Sequence, residues 1–355
     1  MKYEFLISAA IAAMLIGCKP DTPIDPEPPE VKTVYAYGAD VSWYSQQAAE
    51  GVKFYDASGA QTECIPLMKK LGLDAIRLRV FVNPKASGGY SAQGWCGKDD
   101  FIAKAKAANA AGMRLMVDFH YSDNWADPAK QYKPSSWASL SGTQLQNAVM
   151  EHTADILNAL KSAGITPEWV QVGNEVTNGM IWPDGKIENN NFTNFVQLFN
   201  AGYASVKNVF PDAKVILHID NGYDAARFKW FFDGMKAAGC KYDVIGMSIF
   251  PSYVLEGGKE VPISTTVSKM LNNINTCISA YGKPVMICEA GMPWDRAAEC
   301  RQFLSSLING TKDNKNVLGL FYWEPQQNPN VWGDYTLGAF DSGSRATEAF
   351  DAFKR

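Results

Sequence analysis

Glu168-Trp169-Val170-Gln171-Val172-Gly173-Asn174-Glu175 is a short apolar run of strand character that closes on a glutamate, and Pro284-Val285-Met286-Ile287-Cys288-Glu289-Ala290-Gly291 repeats the pattern. A carboxylate at the carboxyl end of a buried strand is costly unless it is paired or used. Two of them, in a chain that alternates strand and helix, read as one acid/base pair assembled by folding. Paired carboxylates are the working groups of glycoside hydrolysis.

The same unit of apolar run, polar loop and amphipathic helix recurs from residue 35 onward. Candidate strands are Tyr37–Trp43, Ala75–Val82, Arg114–Ser122, Glu168–Glu175, Lys214–Asp220, Tyr242–Phe250, Pro284–Gly291 and Val317–Pro325. Between them lie helical patterns such as Leu145, Val149, Ile156 and Leu160, in a segment that ends at Gly164. Runs apolar on both faces, alternating with helices, indicate a parallel sheet. Eight units over the span 35–355 predict an α/β fold, a (β/α)8 TIM barrel forming a single catalytic domain. A doubly wound open sheet is the alternative, but the first strand is not followed by G-x-G-x-x-G.

Active sites of such barrels lie at the carboxyl ends of the strands. That rule selects Asp40 and Trp43, Arg77 and Arg79, Asp118, His120, Tyr121 and Asp123, Asn174 and Glu175, His218 and Asp220, Ser248 and Phe250, Glu289, and Trp323 with Glu324. Of only three histidines, two fall in this set. Glu175 is expected to hold a proton, raised by desolvation or a negative neighbour, and Glu289 to stay ionised beside a cation, with Arg79 as the candidate. Asn174 can offer an amide proton to a sugar hydroxyl. The loop Asp118–Pro128 combines polar groups with Trp125, and Trp182, Trp294 and Trp323 also lie in or beside strand-end loops. Aromatic faces next to hydrogen-bonding groups suit sugars, which have apolar faces and polar edges.

The chain has 355 residues, 46% hydrophobic and 12% aromatic, with net charge −4 and no basic stripe, so nucleic acid is not an expected partner. G-x-S-x-G, H-E-x-x-H and the P-loop are absent. Residues 1–17 read as a lipoprotein signal peptide: Lys2, an apolar stretch from Phe5, then Leu15-Ile16-Gly17-Cys18. Cys18 is the expected lipid attachment site, and an ordinary secretory signal with an incidental cysteine is the alternative. Residues 18–34 carry the Pro/acid sequence DTPIDPEPPE, an extended tether. Six further cysteines allow fifteen disulfide pairings, and Cys288 reads as a buried thiol.

At these residues the chain resembles glycoside hydrolase family 53, the endo-β-1,4-galactanases of clan A. The resemblance rests on Gly38–Trp43, Ala75–Pro84, Asp118–Pro128, Trp169–Pro183 (which includes Asn178 and Trp182), the strand ending in Glu289, and Phe321–Pro325. It implies retaining hydrolysis of β-1,4-galactan by a monomer, with Glu175 as acid/base and Glu289 as nucleophile. Separately, the lipobox-like Leu15–Cys18 and the acidic residues behind it resemble the signals of an outer-membrane lipoprotein of a Gram-negative bacterium, exposed at the cell surface. Relatives usually carry Ser-Tyr-Tyr-Pro after the sixth strand, and here the segment is Ser248-Ile249-Phe250-Pro251, with Tyr253 as a candidate substitute. The stretch with which many bacterial relatives bind calcium is not found, so no cofactor or metal is expected. Two other classes fit the same residues: a clan A endo-glycanase acting on mannan or glucan, and an inactive surface glycan-binding protein.

Overall fold

The computed structural model describes residues 34–355; Cys18 and the Pro/acid tether lie outside the described residues. Eight parallel strands close on one another: β1 (Ala36–Asp40), β2 (Ala75–Val80), β3 (Arg114–Phe119), β4 (Trp169–Val172), β5 (Lys214–Ile219), β6 (Val244–Ile249), β7 (Val285–Ala290) and β8 (Val317–Trp323). Each strand pairs with its sequence neighbours, and β1 pairs with β8 to close the barrel. The expected (β/α)8 barrel is therefore the observed fold.

Helices line the outside because their apolar residues repeat at helical spacing. In α1 (Gly142–Ser162), Leu145, Val149, Ile156 and Leu160 are all fully buried, and Gly164 lies just past the helix at φ 71°, a left-handed position that suits a residue without Cβ. The helix α2 (Ala225–Ala237) begins at Asp224, whose carboxylate accepts from the backbone N–H of Arg227.

Strand side chains alternate in direction, and this sorts the barrel interior into layers. Ala75, Met116, Trp169, Ile216 and Val244 form an apolar plug with Met286 and Phe321 at the amino end. Two residues further along the same strands come Arg77, Asp118, Gln171 and His218, each with no more than traces of exposure. Gly246 takes the equivalent place on β6, where a Cβ would come within 2.9 Å of both the Cys288 sulfur and the His218 Cβ. A side chain there would push apart the layer that carries the charges.

Most of the apolar runs extend past the strands they predict. Burial continues into the loops, as at Tyr121 and Ser122 after β3, but the pairing with β2 stops at Phe119. The six cysteines of the described residues stand as free thiols, and Cys288 is fully buried as expected.

Candidate active site

Glu289 reaches the site from within β7, where the register with β6 shifts between Ile287 and Glu289. Glu175 arrives differently. β4 ends at Val172, and Gly173 (φ 86°) and Glu175 (φ 42°) turn the chain over the barrel mouth in left-handed conformations. For a glutamate such a backbone is uncommon and is held by its surroundings. Both glutamates line one cleft of about 470 Å³ at the carboxyl end of the barrel, together with Trp43, His120, Trp125, Asn174, Trp323 and Tyr335.

Arg77 organises the floor of this cleft. Its Nε donates to Gln171 Oε1 (2.7 Å), Nη1 to Asp40 Oδ2 (2.7 Å) and Nη2 to Asn174 Oδ1 (2.8 Å). Nη2 also lies 2.9 Å from Asp118 Oδ2 and 2.9 Å from Glu289 Oε1. The last contact is an ion pair without hydrogen-bond alignment, so Oε1 is stabilised by charge while its lone pairs stay unengaged. The expectation that Arg79 serves Glu289 is corrected here. Arg79 pairs with Glu324 (2.6 Å) and sits 4.3 Å from the ring centre of Trp125 and 5.1 Å from that of Trp43. Arg77 and Arg79 both point inward, two residues apart, but only Arg77 lies at the depth of Glu289. Glu324, also at a strand end, is a structural ion pair whose oxygens further accept from the Trp43 N–H and the Gln326 amide.

The electrostatics separate the two glutamates. Burial pushes the Glu175 carboxyl up to about 7, and Asp220 adds to the shift. Burial also pushes Glu289 up; Arg77 pulls against it, and Glu175 raises it further. Two desolvated carboxyls that repel one another cannot both ionise at neutral pH, so the pair carries one proton and titrates as a unit. The guanidinium at 2.9 Å favours the charge on Glu289 and leaves the proton on Glu175.

A chain of hydrogen bonds running from Arg77 fixes the surroundings of Glu175. Because Gln171 Oε1 accepts from Arg77, its Nε2 faces His218 Nδ1 at 2.9 Å and donates to it. Burial holds His218 neutral, so its single proton lies on Nε2 and goes to Ser248 Oγ at 2.8 Å. The Ser248 hydroxyl proton is then free for Glu175, whose pKa it lowers. Ser248 was among the strand-end residues picked from the sequence; Gln171 was not. The signal for Gln171 was present: one amide inside an otherwise apolar strand.

The remaining candidates divide by position. Trp43, Trp125 and Trp323 form one aromatic wall, with centroids 5.1–6.0 Å apart. His120 lines the cleft with both nitrogens engaged, by Asp118 and by the Ala126 N–H. Asn174 uses one amide proton on the Ala126 carbonyl and keeps the other. Asp40, Asp118 and His218 lie beneath the cleft, sealed from solvent, and Asp220 pairs with Arg227 beside it. The Asp123 carboxylate is occupied by the Asn83 and Ser135 N–H groups, which makes it a loop clamp. Asn178 and Trp182 lie past Glu175 and bond to one another through the indole N–H. Trp294 is half-buried outside the cleft lining and bonds through its backbone to Thr336. Tyr253 is 63% exposed at the rim. The hydroxyl of Tyr335, by contrast, is sealed in without a hydrogen-bond partner, 3.0 Å from where a Cβ on Gly291 would stand. Among the described residues no group of three His, Cys, Asp or Glu side chains is placed to hold a metal ion.

A stability measurement tests this charge placement. The unfolded chain loses the Glu175 proton near the ordinary value of 4.5, whereas the folded protein keeps it to about 7. The folded state therefore binds more protons between these values, and stability falls as pH rises through them. Glu175→Gln removes that loss. At pH 8 the variant should exceed wild type by about 2 kcal/mol, allowing for screening by water in the cleft. At pH 4 the two should melt together. A variant less stable than wild type at pH 8 would contradict the placement.

A parallel (β/α)8 barrel with two coupled glutamates at the mouth, one on an arginine and one raised toward neutrality, under a tryptophan wall, defines a glycoside hydrolase of the two-carboxylate class. Residues 36–302 match Glycosyl hydrolase family 53, and the chain belongs to that family. It is 31% identical to an arabinogalactan endo-β-1,4-galactanase of Humicola insolens, over 80% of this chain and 88% of the other. An uncharacterized protein of Niallia circulans is 31% identical over 90% of this chain and 93% of its own length. Among solved structures, the family 53 catalytic domain of Ignisphaera aggregans superposes with a TM-score of 0.78 at 29% identity, covering 92% of this chain and 97% of that one. A fungal β-1,4-galactanase gives 0.77 at 28% identity, covering 89% and 98%.

Proposed function

We propose that this protein is a retaining endo-β-1,4-galactanase acting on the galactan side chains of pectin. Glu289 attacks the anomeric carbon while Glu175 gives its proton to the departing glycosidic oxygen, forming a covalent glycosyl-enzyme. Glu175, now ionised, takes a proton from water; the water oxygen attacks the same carbon and Glu289 leaves. Two inversions give net retention, which requires the carboxyls to lie about 5–5.5 Å apart. No cofactor enters either step. The observation that carries this reading is the placement of both glutamates in one cleft, with Arg77 2.9 Å from Glu289 Oε1 to hold the charge there. The galactanase activity named for relatives that align along most of the chain supports galactan over mannan or glucan. An intact acid/base pair disfavours a purely binding role.

The tryptophan wall would stack on the apolar face of a galactose ring, and Arg79 beneath it would hold the indoles in place. The lipobox reading of Cys18, outside the described residues, completes the proposal with an enzyme tethered on the outer membrane, monomeric, and meeting a polymer too large to cross it. One experiment tests both parts. Galactan, mannan and β-glucan are given to the purified enzyme and to intact cells carrying wild type or Cys18→Ser. Hydrolysis of galactan alone, with β-configured products by NMR, is expected, and intact cells should lose the activity with Cys18→Ser. Cleavage of another glycan in preference would overturn the substrate, and activity seen only after lysis would overturn the location.

A further inference from the structure

The turn that carries Glu175 is stitched to the loop that follows β3. Asn174 Nδ2 donates to the Ala126 carbonyl at 2.9 Å, and Asn178 Nδ2 to the Pro128 carbonyl at 2.8 Å. The Trp182 N–H donates to the Gln131 carbonyl at 2.6 Å. Within this seam the side chain of Gln131 is only 2% exposed. Its Nε2 lies 2.8 Å from the Asn174 carbonyl oxygen, 3.2 Å from that of Asp127 and 3.5 Å from that of Glu175. We propose that Gln131 is a positioning residue for the acid/base: its amide holds the peptides on both sides of Glu175, and so sets where the Glu175 carboxyl stands. The inference rests on the reading of Glu175 as acid/base and adds a residue to it.

Chemistry fixes the direction of this contact. Carbonyl oxygens only accept, so the nitrogen of Gln131, with its two protons, must be the atom that faces them. The two shorter contacts bridge the loop, at Asp127, to the turn, at Asn174.

Backbone conformation supplies the need. Glu175 has φ 42° and follows Gly173 at φ 86°. A glutamate keeps a left-handed backbone only where its surroundings impose it. Beyond Glu175 the chain is held by β5 and its end: the Val176 N–H donates to the His218 carbonyl at 2.9 Å, and the Thr177 hydroxyl bonds to Asp220. Before Glu175 the buried Asn174 carbonyl takes its hydrogen bond from Gln131. Without that donor the carbonyl is left unsatisfied, and the peptide gains by rotating toward a partner. Rotation of the peptide that joins Asn174 to Glu175 swings the carboxyl, and a misplacement of about 1 Å in a reacting group costs about 100-fold in rate.

The test uses a variant that keeps the volume and removes the donor. Gln131→Met should lower kcat on galactan about 10-fold to 100-fold, the range for a lost supporting group, with KM within about twofold of wild type. On a dinitrophenyl β-galactobioside, whose leaving group needs no proton, its first turnover should keep the wild-type rate. Steady-state release should then be slow, because Glu175 is also the base of the second step. Loss of folded protein alone would lower both substrates equally. Gln131→Glu is the rescue. A protonated carboxyl can donate to the Asn174 carbonyl, whereas an ionised one can only repel it. Its activity should therefore exceed that of Gln131→Met at low pH and fall to the same level or below at high pH. If Gln131→Met does not fold, the pH dependence of Gln131→Glu relative to wild type decides. Equal losses on both substrates, or a Gln131→Glu activity that keeps a constant ratio to wild type across pH, would overturn the positioning role. Glu175→Gln, measured alongside, separates the two readings. If it does not discriminate between the substrates, the acid/base assignment falls; if it does and Gln131→Met does not, only the role of Gln131 falls.

Discussion

Glu289→Ala is expected to lose turnover on galactan by about 10⁴-fold or more, because no other group can form the covalent intermediate. The fold should survive. The substitution removes a carboxylate whose burial is unfavourable, and Arg77 keeps Asp40 and Asp118 as partners. Azide should restore bond cleavage in this variant and give an α-galactosyl azide, since it attacks from the face that Glu289 vacates. Glu175→Gln should fail differently. It should be nearly inactive on galactan, whose leaving group must be protonated, yet still form the glycosyl-enzyme from an aryl substrate with a strongly acidic phenol. That intermediate should accumulate, because the base for the second step is missing. If Glu289→Ala hydrolyses galactan, or if azide rescues it with retained configuration, the assignment of the two roles is wrong.

Both glutamates were legible because apolar strands rarely close on a carboxylate without cause. The eight strands were legible for a related reason: with helices outside and a filled interior, both strand faces are buried and the runs read as continuous. Where strands end was not legible. The chain stays buried as it passes over the barrel mouth, so Tyr121 and Ser122 look like strand from composition although the regular register with β2 ends at Phe119. Glu175 is the functional case: it lies in a left-handed turn after β4 that no apolar pattern announces.

The choice between Arg77 and Arg79 was beyond the sequence for a geometric reason. Side chains two apart on a strand share a face, so the pattern places both arginines inside the barrel and gives no depth. Depth follows from the stagger between strands and from the register shift at Ile287 to Glu289, which are properties of the closed barrel. The roles of Ser248 and Gln171 were hidden for another reason. Neither titrates, and their importance comes from bonds to His218 and Arg77 that span the barrel. The aromatic wall was only partly legible. Trp43, Trp125 and Trp323 converge, whereas Trp294, equally close to a strand end, does not join them.

Arg77 is the residue whose loss should be felt in both stability and chemistry. Arg77→Met would leave Asp40, Asp118 and Glu289 facing one another in the interior without the guanidinium that now touches all three. Leaving buried charge uncompensated costs about 3–5 kcal/mol, so this variant should unfold at much lower denaturant or fail to accumulate. Arg77→Lys separates the two roles. A lysine keeps the charge but cannot fork to Asp40, Asn174 and Gln171 at once. With Gln171 released, nothing dictates which of its amide atoms faces His218, and the proton order leading to Ser248 and Glu175 is lost. Arg77→Lys should therefore fold, lose kcat by about 100-fold on the scale of a displaced supporting group, and move both limbs of its pH–activity profile. Arg79→Lys supplies the comparison. It weakens the pairing with Glu324 and the contacts to the tryptophans, so it should lower melting temperature and raise KM while the acid limb stays in place. If instead Arg79→Lys shifts the acid limb and Arg77→Lys does not, the cation of the nucleophile is Arg79 after all, and the site has to be rebuilt one layer nearer the mouth.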